Sequence, residues 1–171
     1  MKKSKIVSIV FFIAIFLGVF TDANAQHVHN HTHNHRHDEH KFHIGVGAGI
    51  ASFSGEQDLH PSLHLHLLRK LNVESKWSLG IGYEGIKGEE EWHNGLNLLV
   101  NYRLFHFISF NAGPGLVFEK HDGENEILPA LHAESVVEFT ISDFHFGPMV
   151  GFGINKEHTH FSVGIHLGFG I

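Results

Sequence analysis

The sequence predicts an all-β fold: an eight-stranded antiparallel up-and-down transmembrane β-barrel. Three observations carry that expectation. From Phe42 onward, large apolar residues alternate with small or polar ones at a period of two, which puts them on opposite faces of strands. There are eight such segments of roughly 10 to 15 residues, against the roughly 9 to 11 a tilted strand needs to cross a bilayer. The large apolar side chains, on the order of forty, are too many for the inside of an eight-stranded barrel, which is just wide enough for side chains to fill. Turned outward they face lipid, leaving Gly, Ser, Asn, His and Glu to fill a narrow lumen. A soluble barrel or sandwich would instead coat its outside with glycine, which weakens strands for no gain.

The segments follow in order. In 42–53, Phe42, Ile44, Val46 and Ala48 oppose His43, Gly45, Gly47 and Gly49. Segment 60–71 turns His64 and His66 inward, and 76–87 does the same with Glu84. Segment 92–104 contributes Asn97, Asn101 and Arg103, with Leu99 on the same polar face. Segment 107–119 contributes Asn111, with Val117 as the misfit, and 127–141 contributes His132, Glu134 and Glu138. In 144–154, Phe144, Phe146, Val150 and Phe152 stand against His145, Gly147, Gly151 and Gly153. In 158–170 the outward face is Phe161, Val163, Ile165, Leu167 and Phe169, and the inward face includes His160, Ser162 and His166. Closure satisfies every backbone group, as lipid demands.

The connections at one end are acidic: Ser54–Asp58, Gly88–Glu91, His121–Glu126 and Asn155–Glu157. Those at the other end, such as Phe105-His106 and Ser142-Asp143, are short. Phe42, Trp77, Tyr102, Phe144 and Phe169 fall at that second boundary, as an aromatic girdle would.

Ahead of the barrel, Lys2, Lys3 and Lys5 precede the apolar run Ile6–Phe20 and the small-residue site Ala23-Asn24-Ala25. That is the pattern of a secretory signal peptide over residues 1–25, cleaved to start the chain at Gln26. Removing three Lys and one Asp from 12 basic and 18 acidic residues leaves 9 and 17, a charge of −8. Such a balance argues against a nucleic-acid partner. The absence of Cys excludes disulfides and thiolate metal sites.

Residues 26–41 form a histidine-rich arm. His27, His29, His31, His33, His35 and His37 alternate strictly, and His40 and His43 follow. Neutral imidazole is a common ligand for zinc, copper and nickel, and an extended chain presents alternate residues on one side. The arm lacks apolar periodicity and is expected to be disordered without metal. A polar linker with incidental histidines is the competing reading. A second group, His64, His66, His132, Glu134, His160 and His166, is expected in the upper lumen, brought together across the glycines of the first strand. It is either a metal site or a hydrogen-bonded packing network.

The Gly-rich first strand (His43 to Gly49), the Asn111-Ala112-Gly113-Pro114-Gly115-Leu116 stretch and the closing Gly164 to Ile171 resemble the small eight-stranded outer-membrane barrels of the OmpA, OmpX and OmpW types. They resemble more closely the small outer-membrane β-barrel or porin-like proteins of Bacteroidetes. The resemblance covers Phe42 to Ile171 and implies an outer-membrane location in a Gram-negative bacterium, with lipid as a partner and the arm in the periplasm. It implies architecture, not activity. One enzyme of similar architecture, the lipid A deacylase type, uses a His-x-Ser pair with a downstream acid. His160-Phe161-Ser162 has that spacing, but no Asp or Glu follows it. The expected role is therefore non-enzymatic: capture, buffering or sensing of a divalent transition metal. A structural or adhesin-like barrel and a lipid A-modifying enzyme are the alternatives.

Overall fold

The computed structural model describes residues 40–171 apart from positions 73, 89–90 and 122–123. The signal-peptide segment and the arm histidines from His27 to His37 lie outside the described residues.

The strands are β1 (Phe42–Phe53), β2 (His60–Lys70), β3 (Trp77–Lys87), β4 (Trp92–Phe105), β5 (Ile108–His121), β6 (Glu124–Val137), β7 (Phe139–Ile141), β8 (Phe144–Asn155) and β9 (Thr159–Gly170). β6 and β7 are one strand interrupted at Glu138, since both pair with β8 in the same register (Val136↔Met149, Phe139↔Phe146). Each strand pairs antiparallel with the next, and β9 pairs with β1, so eight strands close on themselves.

The register fixes the geometry. Partners traced once round, Phe42–Arg69–Leu79–Val100–Ala112–Ala133–Phe152–Phe161, return to β1 at Ser52, ten residues up the strand from Phe42 (52 − 42). With eight strands, a rise of about 3.3 Å and a spacing of about 4.8 Å, that stagger requires a tilt of about 40° and a radius of about 8 Å. Such a barrel holds one layer of side chains from each wall and no wide channel.

The faces divide as the alternation predicts. Leu98, Ile141, Leu131 and Ile81 are each 58–65% exposed on the outside, within a continuous apolar band. His64, His66, Glu84, Asn97, Asn101, Asn111, His132, Glu134, Glu138, His145, His160 and His166 are all buried inside. Leu99 is buried on the same side, as expected of the misfit. The inside also holds apolar residues: Leu68, Ile86, Leu128, Val136 and Met149 are buried there. Monomeric proteins in water do not carry an exposed apolar surface on this scale.

At the end that carries both the start of β1 and the close of β9, aromatic rings form the expected girdle. Trp77 lies opposite Tyr102, with centroids 4.5 Å apart, and Phe144 opposite Phe169 at 5.0 Å. Phe139 and Phe146 extend it. The hairpin beyond β7 turns on Ser142-Asp143, with Ser142 at φ 57°, the left-handed conformation that two-residue turns demand.

One connection differs from expectation. The stretch 121–126 is mostly strand: Glu119↔Glu126, Lys120↔Asn125 and His121↔Glu124 continue the β5–β6 ladder. Alternation fades there because strands that project past the membrane no longer need an apolar face.

Near the termini-bearing end the lumen is braced by an ion pair. Arg103 Nη2 donates to Glu138 Oε2 at 2.8 Å, and Ser109 Oγ donates to Glu138 Oε1 at 2.7 Å. Glu138 is buried, so removing its cation leaves a charge inside the barrel. Arg103→Met is expected to destabilise the barrel by about 2 kcal/mol or more, somewhat below a fully buried pair because the arginine is partly exposed. Adding Glu138→Gln should recover most of that loss. Urea unfolding of the two single variants and the double variant in micelles measures the coupling.

Candidate metal centre

The stagger sorts the lumenal histidines into levels, and the level of each is set by its register partners rather than by its place in sequence. Nearest the termini is an all-imidazole cluster. His43 Nε2 and His145 Nε2 are 2.7 Å apart, so one ring donates to the other, and the rings stack at 4.5 Å. His66 stacks on His166 at 5.0 Å, and His145 and His166 lie 5.4 Å apart. One nitrogen from each of His43, His145 and His166 falls within a 4.8 Å span, close enough to share an ion. Gly45 makes the cluster possible: a Cβ there would collide with the rings of both His66 and His166.

The next level mixes imidazole with carboxylate. His64 Nδ1 lies 3.6 Å from Glu134 Oε2, and His64 Nε2 lies 3.4 Å from Glu84 Oε1. His132 Nδ1 is 3.4 Å from Glu84 Oε2, and His160 Nε2 donates to Glu84 Oε1 at 3.1 Å. Glu134 also accepts from Asn111 Nδ2 at 2.8 Å, and Asn111 is itself held by Asn101. One ligand atom from each of His64, His132 and Glu134 falls within 4.8 Å of the others, and all three residues are buried.

The far end is closed by Phe53, whose ring packs against His60, His93, His158 and His160 at 4.7–5.8 Å. His93 Nδ1 donates to Glu119 Oε2 at 2.7 Å. Glu119, Glu157 and His158 form a third potential ligand group, partly exposed.

Of the residues singled out in the sequence, His40 is at the termini-bearing rim, with Nε2 3.1 Å from Asp143 Oδ1. His43 belongs to the all-imidazole cluster. The expected single group of His64, His66, His132, Glu134, His160 and His166 is divided. His66 and His166 join His43 and His145 toward the termini, while His64, His132, Glu134 and His160 gather around Glu84. The group is thus not confined to the upper lumen. His66 Nδ1, 3.9 Å from Glu134 Oε1, is the link between the levels. His60, His93 and Phe53 were not singled out, although their parity with His64, Asn97 and His43 marks all three as inward. Ser162 of the His160-Phe161-Ser162 triplet is buried in the lumen, away from the lipid-facing surface.

No family model matches the chain, and no curated protein sequence does. Among solved structures, Neisserial surface protein A is similar with a TM-score of 0.58 at 10% identity, over 77% of this chain and 97% of that one. The attachment invasion locus protein Ail of Yersinia pestis has a TM-score of 0.44 at 15% identity, over 75% and 95%. The N-terminal barrel domain of Pseudomonas aeruginosa OprF has 0.46 at 10%, over 75% and 97%. At such identities a likeness concerns architecture, and sites must be argued from their own residues. Closure, stagger, outward apolar band and the likeness to the Neisserial barrel together give this chain the fold of a small eight-stranded outer-membrane barrel.

Proposed function

We propose that the protein captures divalent transition metal at the outer membrane of a Gram-negative bacterium, through a histidine-rich arm on the periplasmic side. Zinc, copper and nickel are the candidate ions, with copper first by intrinsic affinity. One observation carries the reading: His43, the last histidine of the tract, is also a member of the barrel's all-imidazole cluster. The tract is thus continuous in sequence with a second set of imidazoles, at the mouth of the lumen. His40, three residues before His43, is at the rim beside Asp143. Capture, buffering and sensing all follow from such an arrangement.

The test is isothermal titration of the full-length protein in micelles with Zn²⁺, Cu²⁺ and Ni²⁺. The comparison is a variant with His27, His29, His31, His33, His35 and His37 all changed to Asn. The variant is expected to lose most of the bound equivalents. A free imidazole titrates near pH 6.5, and protonated imidazole does not ligate. Affinity at the arm is thus present above that pH and should fall steeply between about pH 7 and 5. Binding that stays near zero, or only millimolar, would leave a structural or adhesin-like barrel. The hydrogen-bonded run Asn101–Asn111–Glu134 and the Arg103–Glu138 pair favour that second reading, since such networks also pack a lumen with no ligand.

A further inference from the structure

We propose that the middle of the lumen is a built divalent-cation site of its own, in which His64, His132 and Glu134 ligate the ion and Glu84 orients the two histidines. It goes beyond the arm and uses none of the arm's residues.

Charge is the first argument. Glu84 and Glu134 are both buried, only 5–6% exposed, and every ion-pair partner of either among the described residues is a histidine. Neutral histidines leave two negative charges inside a low-dielectric wall, a cost of several kcal/mol per ion even after relaxation. One divalent cation cancels both charges and leaves the imidazoles in the neutral form that ligates. Glu138, a buried lumenal carboxylate nearer the start of β1, has an arginine instead and needs no such ion.

Distance is the second argument. Ligands placed about 2.1 Å from a tetrahedral ion stand about 3.4 Å from one another. Within the proposed ligand set, His64 Nδ1 and Glu134 Oε2 are 3.6 Å apart, and one ligand atom from each of His64, His132 and Glu134 lies within 4.8 Å of the others. The 3.6 Å between His64 and Glu134 is longer than the 2.7–3.2 Å of a good hydrogen bond. His64 Nε2 and His132 Nδ1, the nitrogens turned toward Glu84 at 3.4 Å, have no hydrogen-bond partner despite being buried, a costly condition for a mere packing network.

The third argument is the division of roles. Glu84 faces Nε2 of His64 and Nδ1 of His132, one nitrogen of each ring. That leaves the opposite nitrogen of each ring for an ion shared with Glu134, whose Oε2 is on the Nδ1 side of His64. A carboxylate that hydrogen-bonds the back of a ligating histidine fixes its tautomer and raises its basicity, and at 3.4 Å from both rings Glu84 is a small shift away from doing so. A small cavity lined by His64, His66, Asn97, Leu99, His132 and Glu134 supplies the space.

The experiment uses the full-length protein with the six alternating arm histidines changed to Asn, titrated with Co²⁺. A four-coordinate nitrogen–oxygen site gives Co²⁺ a strong visible absorption, and surface binding leaves it nearly colourless. One equivalent with that absorption is expected. Glu134→Gln, which keeps an acceptor for Asn111, should abolish it, and Glu84→Gln should weaken binding about 10- to 100-fold. His145→Asn, which removes a member of the all-imidazole cluster, should leave in place the part of the spectrum that Glu134→Gln abolishes. Circular dichroism verifies that each variant folds; if Glu134→Gln does not, His132→Gln is read in its stead. No bound Co²⁺ in the arm-silenced protein overturns the proposal. So does an absorption that survives Glu134→Gln but disappears with His145→Asn. The arm reading fails separately, if silencing the arm leaves the total stoichiometry unchanged.

Discussion

An arginine at position 98 is expected to destabilise the folded barrel by about 2–4 kcal/mol in a bilayer or micelle. Leu98 is in the middle of β4, 65% exposed, with its side chain on the outer face. Its register partner Ile81 is 58% exposed on the same face, so the residue is in the centre of the apolar band and not at its edge. In water a charge there would be solvated and the change would fall within about 0.5 kcal/mol, as surface substitutions do. In hydrocarbon the guanidinium must snorkel or draw water inward. Depth should therefore matter: Phe105→Arg, at the girdle beyond the end of the band, is expected to cost at most about 1 kcal/mol. Urea titrations of the two variants and the parent, followed by the fluorescence of Trp77 and Trp92, give the comparison. Equal small effects at both positions would contradict a lipid-facing surface.

That surface was plain in the sequence because a strand has only two faces. In β9 the residues Phe161, Val163, Ile165 and Leu167 are outward and Ser162 and His166 inward, with no further information needed than odd and even. Levels in the lumen were not legible for the same reason. Parity says that His64 and His66 both point in; it does not say at what height each meets the other strands. Height depends on register across all eight interfaces, and with a stagger of ten residues the strands are steeply tilted. His66 thereby reaches His166 and His43, while His64, two residues away, reaches Glu84 and Glu134. Met149 was hidden by a different cause. It sits on the inward face of a segment otherwise lined by His145, Gly147, Gly151 and Gly153, and it fills the space left by Gly47 of β1.

The glycines of the lumen were read as room for imidazole, and at Gly45 that is their use; at Gly49 and Gly164 the reason is the backbone. These two face one another across the β1–β9 seam, where the first and last strands close the barrel. A Cβ on Gly49 would collide with the carbonyl oxygen of Val163 and come within 2.7 Å of the Gly164 Cα. A Cβ on Gly164 would collide in turn with the carbonyl of Ala48. A flexible side chain could swing away from such a contact, but a strand backbone cannot without loosening its ladder. Gly49→Ala is therefore expected to cost about 3 kcal/mol, the upper end for overpacking, and Gly49→Val more. The seam raises the stake, because an opened edge leaves backbone groups unsatisfied in lipid at several kcal/mol each. Gly95 provides the contrast. A Cβ there meets nothing nearer than 3.8 Å, so Gly95→Ala should be neutral or stabilise by about 0.4–1 kcal/mol, by restricting the unfolded chain. Unfolding midpoints of Gly49→Ala and Gly95→Ala in urea should thus move in opposite directions, or at least differ by about 3 kcal/mol. Identical midpoints would mean that the first and last strands do not approach so closely, and that closure rests on hydrogen bonds elsewhere along the seam.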